Sequence, residues 1–409
     1  MRSPEKLPAL KILCVASPAG TLADGAVGGV ALDLYGIATE LQRRGHLLKI
    51  VAPKGSATAS LFANMAIVEI EGEFQPLAPN QTYDDPVVIP ANAVLANMWD
   101  YAQQHQYEYD LIINFAYDWL PFYLAPLFDR PVLHRLNLSS WTLAMDRVIS
   151  RVAKLRPGTI AVLSKAQALS YERAFTNLVK LDVNQSNSQF NSIDRSHIKT
   201  KELEIVDRFR CLGGALQVDN YDFQAQSSKS LAVVARISPE KGIEDAIAAA
   251  TKANLPIKIF GFIQDQAYWQ NILAANPQAS QTQVEYMGFL PAQRLQQELG
   301  KCRALLMTHK CIEAWGMAAI EALACGVPVI AYAKGGPAEI IEHGKSGWLV
   351  EPDQVAGLVE AIANLDQIDR HYCRLQAETK FSLPALGDRL EAWFKDVLAQ
   401  PGQNIGKVQ

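Results

Sequence analysis

Glu313 and Glu321 stand eight residues apart on either side of Gly316, in the run Glu313-Ala-Trp-Gly-Met-Ala-Ala-Ile-Glu321. A helix opened by that glycine leaves the N–H groups of Met317, Ala318 and Ala319 without intrahelical acceptors. With the positive end of the helix dipole behind them, they form a seat for a diphosphate. The spacing places Glu313 in the preceding loop and Glu321 on the second turn. At a rise of about 1.5 Å per residue the carboxylates would be roughly 12 Å apart along a continuous helix, too far to share a proton or a metal ion. They are read as holding different ends of one ligand. Glu321 has Ile320, Ala322, Leu323 and Ala324 around it, and a carboxylate in such a buried stretch needs a partner. The plainer alternative is a solvated helix former.

Cations come from Ala235-Arg236-Ile-Ser-Pro-Glu-Lys241-Gly242, which follows an apolar run and leads into a helix. That puts Arg236 and Lys241 at the carboxyl edge of a sheet, where open α/β folds bind ligands. Fixed cations there would neutralise a diphosphate and stabilise it as a leaving group. Read alone, Ser-Pro-Glu-Lys-Gly is also good turn chemistry. Near the N-terminus, Asp24-Gly25-Ala-Val-Gly28-Gly29-Val30 joins a strand to a helix, and glycines allow close approach of a ligand. The spacing is not G-x-G-x-x-G, and no acidic residue stands at the expected place after the second strand, which argues against a dinucleotide-dependent oxidoreductase.

Asn114-Phe-Ala-Tyr117-Asp118-Trp119-Leu-Pro-Phe122-Tyr123 places five aromatics in nine residues. Aromatic faces with a polar group between them suit a flat or sugar-ring acceptor, so Tyr117, Asp118 and Trp119 are candidate acceptor contacts. The alternative is core packing for the helix that follows. His309 is read as an ordinary packed or exposed side chain. Asp146 to Arg156 carries a basic stripe that reads as a solvated face or, alternatively, a membrane-surface contact.

These residues need a scaffold, and the chain supplies one. Leu10–Ala16 and Leu47–Ala52 read as strands flanking a helix whose apolar positions are Val30, Leu34, Ile37, Ala38 and Leu41 and whose stop is Gly45. Further runs at Leu111–Phe115 and Thr159–Leu163 continue an α/β alternation. The pattern restarts at Leu231–Ala235, with a helix from about Gly242 and strands at Ile257–Gly261, Val284–Tyr286, Ala304–Met307 and Pro328–Ala331. A chain of 409 residues is too long for a single core. The linker-like stretch Gly213–Ser230 therefore divides domains over 1–217 and 218–383. An amphipathic helix over about 384–400 has no partner strand after it and is expected to pack back on the first domain. Residues 56–95 and 182–200 show little pattern, and the tail after Pro401 is expected to fray.

With 49% hydrophobic residues and a net charge of -4, the composition is that of an ordinary globular protein and offers no basic surface for nucleic acid. Its six cysteines lack zinc-site spacing and read as reduced thiols. Lys11 breaks the only signal-like apolar run, and no run approaches the ~18 apolar residues of a membrane span. A cytoplasmic location follows as an expectation.

The ordered set Arg236…Lys241-Gly, Gly288-Phe-Leu, Glu313-x7-Glu321-Ala-Leu-Ala-Cys-Gly-Val-Pro-Val, Gly335-Gly336-x-x-Glu339 and Gly344-x-x-Gly347-Trp-Leu-Val resembles the retaining glycosyltransferases of family 4. The resemblance implies a GT-B architecture: two Rossmann-like, doubly wound α/β domains facing across a cleft whose closure excludes water. It also implies hexosyl transfer from a nucleotide sugar, without a metal or other cofactor. By that resemblance Glu321 binds ribose hydroxyls, Glu313 contacts the donor sugar, and Arg236 and Lys241 grip the diphosphate. Gly288, Phe289 and Leu290 would lie near the base, and Gly28-Gly29 over the donor phosphates. Many members end a first-domain strand in a histidine beside the transferred sugar. Matched on Pro131-Val-Leu-His134-Arg-Leu-Asn137, that histidine falls on Asn137, with His134 three residues earlier; both stay candidates. The aromatic run and the glycine pair are similar to the cyanobacterial UDP-glucose:tetrahydrobiopterin glucosyltransferases, which implies UDP-glucose as donor and a pterin as small acceptor. The alternatives are a lipid or glycan acceptor at a membrane surface, and a nucleotide-sugar binding protein with weak or lost transfer. Oligomeric state is not legible.

Overall fold

The computed structural model describes residues 7–22, 28–75, 82–175, 203–275 and 284–400. Asp24 and Gly25 of the first glycine loop, the stretch 182–200 and the tail after Pro401 lie outside the described residues. The chain divides into two compact units, Met1–Leu212 with Leu386–Gln409, and Gly213–Ala385.

Among the described residues of the first unit seven parallel strands form one sheet: β1 (Lys11–Val15), β2 (Leu47–Pro53), β3 (Ile67–Ile70), β4 (Leu111–Asn114), β5 (Val132–Arg135), β6 (Ile160–Val162) and β7 (Arg210–Cys211). Their order is β3-β2-β1-β4-β5-β6-β7. Ile12–Val15 and all of β4, β5 and β6 are buried, as expected for strands covered on both faces. Parallel neighbours need crossovers, and the helix Gly29–Arg43 makes the first. It buries Leu34, Ile37, Ala38 and Leu41. It ends at Gly45, whose φ of +97° suits glycine; there the His46 N–H donates to the Leu41 carbonyl at 3.1 Å.

Among its described residues the second unit has six parallel strands, β8 (Leu231–Val234), β9 (Ile257–Phe260), β10 (Val284–Gly288), β11 (Ala304–Met307), β12 (Val329–Tyr332) and β13 (Gly347–Val350), in the order β10-β9-β8-β11-β12-β13. Counted within each unit, both orders begin 3-2-1-4-5-6, the Rossmann winding. Strands β3, β7 and β13 were not legible beforehand: β3 is an edge strand with no fully buried residue, and β7 is only two residues long.

The helix Leu383–Leu398 carries the chain from the second unit to the first. Leu386, Leu390, Trp393, Phe394 and Val397 are buried along it. Trp393 Nε1 donates to the Gly158 carbonyl at 2.6 Å, and Arg389 Nε to the Leu212 carbonyl at 2.7 Å. Among the described residues no helix is long and apolar enough to cross a membrane. The six cysteines are free thiols.

Candidate functional site

The strand order of the second unit reverses between β8 and β11, and such a reversal opens a ligand crevice at the carboxyl ends of the strands. The loop after β8 carries Arg236 and Lys241, and the loop after β11 carries His309 and Glu313. Two contacts fasten these loops. Gly242 has a φ of +60°, and a Cβ there would lie 2.1 Å from the Thr308 carbonyl oxygen; Thr308 Oγ1 donates to the Gly242 carbonyl at 2.7 Å. The Lys310 N–H donates to the Glu240 carbonyl at 2.9 Å. Fastened so, Lys241 Nζ lies 2.6 Å from Glu313 Oε2.

Gly335 and Gly336 hold the same loop from the β12 side. A Cβ on Gly335 would stand 2.6 Å from the Glu313 carbonyl oxygen, and one on Gly336 2.2 Å from that of Trp315. Only glycines permit this approach, and the Gly336 N–H donates to the Glu313 carbonyl at 2.8 Å.

Burial alone would raise the Glu313 pKa, but the Lys241 ammonium brings it below the ordinary carboxylate value. His309 is nearly enclosed, and burial pushes its pKa down to about 4, so the ring is neutral near pH 7. Its Nε2 stands 3.3 Å from Glu313 Oε2. The sequence reading set His309 aside; the available signal was its place between the end of β11 and the motif glutamate. Arg236 is exposed, with Nη1 donating to Gln264 Oε1 at 2.5 Å and Nη2 3.5 Å from Glu240 Oε1.

Gly316 caps the helix Met317–Ala324 with φ +108°, and Glu321 falls on the second turn. One detail corrects the sequence reading. The Ala319 N–H is not free for a ligand, since it donates to the Gly316 carbonyl at 2.9 Å. Met317 and Ala318 keep N–H groups without an acceptor among the described residues. The half-buried Glu321 carboxylate has one hydrogen-bond partner among them, the Tyr221 hydroxyl, at 3.3 Å from Oε1. Burial raises the Glu321 pKa, and the Tyr221 bond offsets this only in part. Gly288 ends β10 at φ +71°, followed by Phe289, 74% exposed, and half-buried Leu290.

In the first unit the order reverses between β1 and β4. Gly28 caps the helix that Gly29 begins. Neither has a positive φ, and a Cβ on either meets nothing within 4 Å. Packing among the described residues therefore does not require glycine at 28 or 29. Asn137, just past β5, donates from Nδ2 to Asp33 Oδ2 at 3.1 Å, and Arg135 Nε donates to the same oxygen at 2.8 Å.

His134 is corrected as a sugar contact. It lies inside β5 with no exposed surface, its ring stacked on Phe122 at 4.0 Å, its Nδ1 3.2 Å from Asn114 Nδ2, and its pKa pushed by burial to about 3. The aromatic run is arranged largely as local structure. Asp118 caps the helix Trp119–Leu124, accepting from the Leu120 N–H at 3.2 Å, while its other oxygen accepts from Gln75 Nε2 at 3.0 Å. Trp119 stacks on Tyr123 at 4.5 Å, and the Tyr117 hydroxyl donates to the Ser139 carbonyl at 3.3 Å. A cavity of about 30 Å³ beside Tyr117, Asp118, Trp119 and Val87 has room for little more than water.

Residues 222–380 match the family model described as Glycosyl transferases group 1. The chain is similar to an exopolysaccharide phosphotransferase of Streptomyces coelicolor, 31% identical over 193 residues that form 44% of this chain and 20% of that protein. It is also similar to sucrose synthase 4 of Oryza sativa subsp. japonica, 52% identical over 50 residues, 12% of this chain and 6% of that one. The chain thus spans a fifth or less of the length of these two curated relatives. Among solved structures it is similar to Anabaena HepE in complex with UDP and glucose, with a TM-score of 0.67 at 17% identity, covering 95% of this chain and 100% of that one. It is likewise similar to sucrose-phosphate synthase of Thermosynechococcus elongatus, with a TM-score of 0.65 at 16% identity, covering 95% and 99%. At these identities the likeness establishes the fold: two parallel-sheet, Rossmann-like α/β domains of the GT-B kind.

Proposed function

We propose that this chain is a metal-independent, retaining glycosyltransferase of family 4 that moves a hexose, glucose from UDP-glucose, to a small acceptor of the pterin kind. The observation that carries the reading is the Lys241–Glu313 pair at the strand-order reversal of the second unit, inside the stretch that matches a glycosyl transferase family. HepE has been captured with UDP and with UDP-glucose, which supports a nucleotide sugar as the ligand class here.

In this reading Glu321 accepts from ribose hydroxyls, for which its burial beside a single partner prepares it. Phe289 offers an exposed ring to the base, and the N–H groups of Met317 and Ala318 meet the diphosphate. Arg236 and Lys241 neutralise it as it leaves, giving electrostatic stabilisation where charge grows. Glu313 accepts from a sugar hydroxyl. The acceptor oxygen bonds to the anomeric carbon as the bond from that carbon to the phosphate oxygen breaks. The acceptor proton passes to the departing diphosphate, which guides attack to the same face.

Glycines 28 and 29 are assigned to the donor phosphates, and Asn137 to the sugar. The acceptor is assigned to the carboxyl edge of the first sheet near Tyr117, Asp118 and Trp119, where the cavity must widen to admit it. The test is incubation of the protein with several UDP- and GDP-sugars against tetrahydropterin and lipid acceptors, with products identified by mass spectrometry. A glucosylated pterin made from UDP-glucose is expected. A glycolipid product would reassign the acceptor, and no product from any donor would overturn the enzyme reading.

A further inference from the structure

We propose that His309 is a positioning residue for Glu313: it holds Oε2 while Lys241 turns toward the donor diphosphate, so that Oε1 stays aimed at the sugar. The inference rests on the donor site just described and extends it to a residue that the motif pattern left out.

Lys241 and His309 both converge on a single oxygen of Glu313: Lys241 Nζ hydrogen-bonds it at 2.6 Å, and His309 Nε2 stands 3.3 Å away without the alignment of a hydrogen bond. Among the described residues Oε1 has no hydrogen-bond partner. An ammonium that serves a diphosphate loosens its hold on the carboxylate beside it, because one positive charge is then shared between two anions. Without a second holder, a carboxylate on a loop would rotate with the lysine.

His309 is built to stay. Four residues before Glu313 in the same loop, it has little exposed surface. The loop is pinned just beyond it, where the N–H groups of Lys310 and Cys311 donate to the Glu240 carbonyl at 2.9 and 3.4 Å and Lys334 Nζ donates to the Lys310 carbonyl. The ring's Nδ1 is buried without a partner, so its one polar side-chain contact among the described residues is Glu313. As mere filling, an apolar side chain would suit the space better, since it would bury no unsatisfied nitrogen. The charged groups that bear on the ring are Glu313, Lys241 and Glu240. At 3.3 Å a small turn of the carboxylate, as Lys241 leaves it, brings Oε2 into line with Nε2, and a neutral ring can then donate without competing with Lys241 for charge.

The test compares His309→Leu and His309→Gln, the second of which returns an N–H near the position of Nε2. In steady-state transfer from UDP-glucose, His309→Leu should lower kcat about 10- to 100-fold, the scale of a misplaced contact. UDP affinity should stay within about twofold, and His309→Gln should recover most of the rate. The carboxyl carbon of Glu313, followed by carbon-13 NMR and assigned by its loss in Glu313→Gln, should titrate at higher pH in His309→Leu than in His309→Gln. Equal impairment of the two variants would show a packing role and overturn the proposal, as would an unchanged rate or an unmoved Glu313 titration in His309→Leu. If the wild-type protein transfers no sugar, the donor-site reading fails by that result, and the titration still decides whether His309 governs Glu313.

Discussion

Lys241 Nζ meets Glu313 Oε2 at 2.6 Å across 72 residues of chain, and each compensates the burial of the other. A half-buried ion pair adds little net stability, but removing one partner leaves a charge without its compensation. Lys241→Ala should therefore raise the Glu313 pKa and lower transfer by about 10²- to 10³-fold, the scale of losing one donor to a growing charge. UDP affinity should change far less, because the cation matters most once the bond to the diphosphate is breaking. Turnover within about threefold of wild type would contradict this.

Glu321 leads to a double expectation. Its folded-state pKa lies above the ordinary carboxylate value because of burial. A raised pKa means that the folded protein binds the proton more tightly than the unfolded chain. Stability therefore falls as pH rises from the unfolded value through the folded one. Glu321→Gln should melt higher than wild type at neutral pH while weakening UDP binding about tenfold or more. Calorimetry of UDP binding checks the second effect, and unchanged affinity would remove Glu321 from the ribose.

Asp118 is first a helix cap. Asp118→Ala should cost about 1 kcal/mol of stability through the lost bond to the Leu120 N–H. UDP affinity should be unaffected. A raised acceptor KM with no loss in denaturant midpoint would instead assign the carboxylate to the acceptor alone.

Parts of this were legible and parts were not, for physical reasons. Arg236, Lys241 and Glu313 lie in connections that follow strands whose apolar runs announce them, and Glu321 on the helix that Gly316 opens, so their place at a sheet edge could be read directly. The pairing of Lys241 with Glu313 joins residues far apart in sequence, and no local pattern encodes it. His134 misled because every residue of β5 is buried; in a strand covered on both faces, alternation cannot say which way a side chain points. The capping role of Asp118 was not legible because a capping carboxylate and a ligand-binding one look alike in sequence. His309 was missed because its place just before the motif glutamate does not by itself say that the folded loop brings the ring beside that carboxylate.

His134 also sets an acid limit. Burial lowers its folded pKa to about 3 from an ordinary value of 6.5. The unfolded chain therefore takes up a proton that the folded protein refuses, and stability falls as pH drops from about 6.5 toward 3. His134→Leu should flatten this part of the profile in urea titrations taken between those limits. An identical slope in the variant would show that other groups govern it.

The central claim is that Lys241 and Glu313 together form the working end of a nucleotide-sugar site. The most direct measurement is UDP release from UDP-glucose in the presence of a tetrahydropterin, compared among wild type, Lys241→Ala and Glu313→Gln at one enzyme concentration. Steady release by the wild type is expected, with loss of about 100-fold or more in both variants and UDP still bound by each. Release by both variants at the wild-type rate would contradict it.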